Sequence, residues 1–171
     1  MNVKFLNPFV DAASEVLQKE AKVVFSRGDL GLEKSAYVSD DVTVIIALVG
    51  MVVGNVFYSM NSQTAISLAS RILGESLSNL DNLAQSGIAE LSNVITGRAS
   101  VKLAATGYES TISPPTMLLG KGATITTLDY PRLIVPLTSE IGNIHIHLAL
   151  REKALPTFST AQQPVADKPK I

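Results

Sequence analysis

Four residues spaced for one helical face carry the chemistry this sequence offers: Ser86, Glu90, Asn93 and Gly97. At about 100° per residue they span roughly 60° of arc. A carboxylate and a carboxamide therefore stand three residues apart on one side of a helix, with no bulky residue between them. The carboxylate can pair with a cation. The carboxamide both donates and accepts hydrogen bonds without carrying charge. Gly97, one turn beyond Asn93, costs a helix interior about 1 kcal/mol relative to alanine. Its missing side chain would let another molecule come close to Asn93. The same spacing also describes an ordinary solvated helix face.

The element that must position these residues is the stretch Leu80 to Thr106. Its apolar positions Ala84, Ile88, Leu91, Ile95 and Ala99 fall on the opposite stripe. The spacing predicts one long amphipathic helix over about residues 80–106, with Asp81 or Ser78 as its cap. Glu90 and Asn93 then face away from the core.

The pattern Ser86-x-x-x-Glu90-x-x-Asn93 resembles the signature helix of the CheC/CheX/FliY family of chemotaxis phosphatases. The surrounding ELSNVITGRASVKL, and ISPPTMLLG at residues 112–120, resemble CheX-type members. The likeness runs over about residues 3–151; Ser92 departs from the glycine usual there and is expected to point to the side. Two-site relatives carry a second signature near the N-terminus. Here Asp11-x-x-x-Glu15-x-x-Gln18 ends in Gln, whose extra methylene displaces the amide by about 1 Å, enough to cost about 10²-fold in rate. It reads as a solvated face, and the chain as a one-site protein.

The resemblance implies an enzyme that hydrolyses the aspartyl-phosphate of a response-regulator receiver, notably CheY. Carried over by position, Asn93 is the amide that orients the attacking water. Glu90 pairs with the receiver's active-site lysine. Ser86 is a secondary contact or merely small enough to permit docking, and Gly97 lies open on the partner-binding face. The protein has no cofactor of its own; Mg²⁺ is expected in the partner receiver's site. CheX-type relatives also resemble homodimers joined through their sheets. The alternative class is a non-catalytic dimeric adaptor that binds receivers through the same helix. An adaptor has no need of an amide at position 93.

Composition sets the outer bounds. One domain is expected over residues 1–153, with a disordered tail over 154–171 rich in Pro, Gln and Lys. The net charge of −1 offers no basic surface for a phosphate backbone, so nucleic acid is not expected as a partner. The absence of cysteine excludes disulfides, thiolate chemistry and cysteine zinc sites. MNVKFLNPFVDAASEV has no apolar run ending in a cleavage-like site, so it does not read as a signal peptide and the cytoplasm is expected. There is no Ser–His–Asp set, phosphate-cradling glycine loop or H-E-x-x-H motif. Five Phe, four Tyr and no Trp give little stacking surface for a small-molecule pocket.

The remaining elements follow from periodicity. Residues 3–22 predict a helix with Phe5, Phe9, Ala13, Val16 and Leu17 inward. Strands are expected near Val23–Phe25 and Leu32–Val38. Residues 42–60 contain no charge, which suggests a membrane span. Their β-branched content instead predicts two strands, Val42–Val49 and Asn55–Met60, turning around Gly50 to Gly54. A helix follows from Asn61 or Ser62, with Ala65, Leu68, Ala69 and Ile72 inward and Gly74 as its stop. Pro114 and Pro115 place their segment at a sheet edge or crossover. Ala123–Leu128, Leu133–Thr138 and Ile144–Leu150 read as strands. His145 and His147 share one strand face but show no third ligand nearby, so they are expected on the less buried face rather than on a metal. The order predicts an α+β fold: a mostly antiparallel sheet with helices on one face.

Overall fold

The computed structural model describes residues 3–34, 36–127 and 131–154. A short 3₁₀ turn, Val3–Phe5, leads into α1, Leu6–Glu20. Pro8 sits in its first turn, where a missing N–H is harmless. Phe9, Ala12, Ala13, Val16 and Leu17 are buried, while Asp11, Glu15 and Gln18 are exposed, as the wheel predicts.

The charge-free stretch is a β-hairpin, β4 Val42–Gly50 and β5 Val52–Met60. Among the described residues no helix is long and apolar enough to cross a membrane. The β5 strand starts earlier than expected because Val52 and Val53 pair with β10. Gly54 permits that crossing. Its φ is +139°, and a Cβ there would strike the Ala149 carbonyl oxygen.

The main sheet is antiparallel throughout, in the order β1-β9-β10-β5-β4-β6. Its long strands are β4, β5, β9 (Arg132–Ser139) and β10 (Gly142–Glu152). One edge is formed by β1 (Ser26–Arg27) and β2 (Gly31–Glu33), both on β9. The other is β6 (Ser110–Ile112) and β7 (Thr116–Leu119), both on β4. Pro114 and Pro115 join these two edge strands, where no ladder N–H is required.

Alternate residues of the long strands form one core with the helices: Val44, Ile46 and Leu48; Val56 and Tyr58; Ile144, Ile146 and Leu148. Two further helices complete that layer: α2 (Ser62–Leu73) and α3 (Asn82–Ala104). In α2 the Thr64 N–H donates to Asn61 Oδ1 at 2.8 Å, and the Ser62 N–H donates to Asp41 Oδ2 at 2.8 Å. Gly74, at φ +69°, ends the helix as predicted.

Several expectations need correction. The strand expected at Val23–Phe25 forms at Ser26–Arg27. The strand expected over Leu32–Val38 splits into β2 and β3 (Tyr37–Val38), which belong to different sheets. The strand expected over Ala123–Leu128 shortens to β8, Thr124–Ile125. Strands β3 and β8 pair with each other over the far face of the main sheet, where Tyr37 packs with Phe57 and Ala149. The second apolar face of β4 is therefore met in part by a small sheet and not by helices. The tail expected to be disordered lies outside the described residues, apart from its first residue, Ala154.

Candidate functional site

Helix α3 is fixed at its start, along its buried side and near its end. The Asp81 carboxylate accepts from the Ala84 N–H at 2.8 Å. The predicted stripe Ala84, Ile88, Leu91, Ile95 and Ala99 is buried. Ser92, Thr96 and Ser100 are buried beside it, so Ser92 points inward and not to the side. Its hydroxyl donates to the Ile88 carbonyl at 2.9 Å, which satisfies it within the helix. Ser100 Oγ donates to the Ser110 carbonyl at 2.7 Å and ties α3 to edge strand β6.

With that side held down, the opposite side faces out. Ser86 and Glu90 are exposed; Asn93 and Gly97 are half-buried. Ser86 Oγ donates to the Asn82 carbonyl at 2.8 Å, which leaves the hydroxyl only as an acceptor for a visitor. Asn93 opens onto a groove of about 690 Å³ that also reaches Glu15, Gly97, Arg98, Val101, Lys102 and Ile112. Among the described residues, neither the Asn93 carboxamide nor the Glu90 carboxylate has a hydrogen-bond or ion-pair partner within the protein. A Cβ built on Gly97 would meet only Ile112 Cδ1, at an ordinary 3.7 Å. Internal packing therefore does not require glycine there, and the open approach to Asn93 is what its absent side chain provides.

The N-terminal near-motif has a different task. Glu15 takes Lys102 Nζ at 2.8 Å and Arg98 Nη1 at 3.3 Å. Hydrogen bonds from Lys102, then Arg98, hold its carboxyl below the usual range. Such exposed pairs add little stability, but they tie α1 to α3 and set two cations beside the Asn93 groove. Sequence reasoning missed Glu15, Arg98, Val101 and Ile112 as parts of this surface. Val101 was within reach of it, since positions 93, 97 and 101 repeat one turn apart.

The histidine pair lies on the far face of the sheet. His147 is only 7% exposed, which corrects the expectation that both rings occupy the less buried face. Tyr37 from β3 covers it, with ring centroids 4.9 Å apart. Among the described residues no group of three or more His, Asp or Glu could hold a metal.

A family model described as chemotaxis phosphatase CheX matches residues 42–138. The chain is 27% identical over 122 residues to the CheY-P phosphatase CheX of Thermotoga maritima, covering 71% of this chain and 79% of that protein. Its fold superposes on a CheC-like superfamily protein from Shewanella sp. PV-4 with a TM-score of 0.80 and 29% identity, over 88% of this chain and 99% of that one. It also matches a chain of the CheX–CheY–BeF3–Mg²⁺ complex from Borrelia burgdorferi with a TM-score of 0.74 and 30% identity. That match covers 88% of this chain and 100% of the other.

Proposed function

The chain belongs to the CheX family of chemotaxis phosphatases, and from that premise we propose that it hydrolyses the aspartyl-phosphate of a CheY-like receiver through Asn93. The observation that carries this reading is the pair of uncommitted polar groups on α3. Glu90 and Asn93 project from one rigid helix, three residues apart, with no partner within the protein among the described residues.

In the proposed reaction the Asn93 carboxamide accepts from a water and places its oxygen in line with phosphorus. The new P–O bond forms as the bond to the aspartyl oxygen breaks, and the receiver's carboxylate leaves. An uncharged amide neither repels the phosphoryl oxygens nor abstracts the proton, so its contribution is orientation. Glu90 docks on the receiver's active-site lysine. Ser86 and Gly97 allow close approach of that surface. The Mg²⁺ ion belongs to the receiver, consistent with the relative crystallised as a CheX–CheY–BeF3–Mg²⁺ complex. Association of two copies through their sheets is part of the same reading.

The test is the lifetime of the phosphoryl group on each purified receiver of the same cell. Sub-stoichiometric protein should shorten the lifetime of at least one, with turnover. Lifetimes unchanged for every receiver would overturn the enzymatic reading, and binding without turnover would favour an adaptor.

A further inference from the structure

Among the described residues only two large hydrophobic side chains on any helix are exposed, Leu83 at 52% and Val101 at 71%, and both belong to α3. They stand eighteen residues apart, which is about five full turns, so they share one line along the helix. Glu90 lies within about 20° of that line and Asn93 about 80° to one side. Leu83, Glu90 and Val101 therefore form the crest of α3. The carboxylate sits between two apolar side chains, with the carboxamide on the shoulder.

A single exposed leucine or valine needs no explanation. Two in register, bracketing the polar pair on a helix whose other large apolar side chains are covered, do need one. Valine is also a poorer helix former than the charged residues usual on a solvated face. Val101 lines both the Asn93 groove and a second groove of about 510 Å³ that reaches Val49, itself 63% exposed. Apolar surface thus runs from the site past Val94 and Ile112, through Val101, to strand β4.

Footprint decides what covers this line. A partner surface of ordinary area, about 800 Å², is a disc of about 16 Å radius. Centred between Glu90 and Asn93, it reaches along the helix axis past Leu83 at about 13 Å and Val101 at about 14 Å. A domain of that footprint seated on the polar pair covers both.

On the reading that Asn93 works in the receiver's phosphorylated site, we propose that Leu83 and Val101 are the apolar anchors that hold the receiver on α3. The receiver presents apolar surface to them on either side of its phosphorylated pocket. The two contacts also keep loose water away from the polar pair between them.

The test uses the full chain and a receiver whose phosphoryl lifetime it shortens with turnover. Leu83→Ala and Val101→Ala should each raise KM by about five- to tenfold, the scale of two or three methylenes left unburied. The kcat should stay within about twofold of wild type. The rise should be the same at low and high salt, because an apolar contact is not screened. Leu83→Met keeps the apolar volume and should hold KM near wild type. Alanine is the better helix former at both positions, so the urea midpoints should match wild type. An unchanged KM in either alanine variant, with wild type active, overturns the bracketing contact and leaves the reading of Asn93 intact. Altered self-association with KM unchanged assigns the line to a second copy and overturns it equally. A wild type that turns over no receiver is instead the failure of the Asn93 reading, and the anchors fall with it.

Discussion

The Tyr58 hydroxyl lies 2.8 Å from Thr96 Oγ1, in the buried seam between β5 and α3. Thr96 Oγ1 already donates its proton to the Ser92 carbonyl at 2.8 Å, so Tyr58 is the donor. This bond sits one turn from Asn93, about 60° round the helix on its buried flank, and helps set the rotation that turns the carboxamide outward. Removing either partner should therefore have unequal cost. Thr96→Val leaves a buried phenol without an acceptor and should cost about 2–3 kcal/mol, whereas Tyr58→Phe should cost about 1 kcal/mol. Urea unfolding measures both, and equal losses would contradict the donor assignment.

Asn93→Ala should separate catalysis from folding. Nothing in the described protein holds the carboxamide, so unfolding free energy should change by less than about 0.5 kcal/mol. Receiver binding should persist. The dephosphorylation rate should fall by about 10²-fold, the scale of losing an oriented reactant. A rate within a factor of about two of wild type would remove the amide from the mechanism.

Glu90→Ala should act on association. A charge that is exposed in the free protein and meets a cation of the partner contributes to the encounter rate and makes binding salt-dependent. The predicted outcome is about a tenfold rise in Kd for the phosphorylated receiver at low salt, shrinking as salt increases. Surface plasmon resonance at two ionic strengths decides this, and a wild-type association rate would assign the docking contact to another residue.

The legible parts of the fold were those written in local periodicity. The stripe from Ala84 to Ala99, the Asp81 cap and the Gly74 stop each depend on residues within a few positions, and each forms as read. The β4–β5 hairpin was legible because β-branched residues dominate a run too polar in its second half for a membrane helix. Strands β3 and β8 were not, since two-residue strands are defined by a partner more than 80 positions away. Ser92 misled because a serine reads as polar, while a helical serine can satisfy itself on the carbonyl four residues back. His147 misled because alternation identifies its face, but only Tyr37 and Arg132, distant in sequence, show that this face is covered there. At the candidate site the spacing gave Ser86, Glu90, Asn93 and Gly97, all on α3. Glu15 joined the groove from another helix, which no spacing within α3 could disclose.

Acid should destabilise the fold partly through His147. Burial, followed by the charges of Arg132 and His145, pushes its pKa down to about 3. In the unfolded chain the ring takes up a proton near its ordinary value of about 6.5. Between those values the unfolded state binds more protons than the folded one, so stability falls as pH falls. The contribution is complete above about pH 6.5, and its slope below approaches 1.4 kcal/mol per pH unit. Glu15 and Asp41 are also held low and lose stability in acid, but only nearer the carboxylate range. Comparison with His147→Gln cancels their share. From pH 7 to 5, in buffer free of phosphate and carboxylate, wild type should lose about 2 kcal/mol more than the variant. Parallel pH profiles would mean that the ring ionises freely in the folded protein, and the covered face of the sheet would then be open to water.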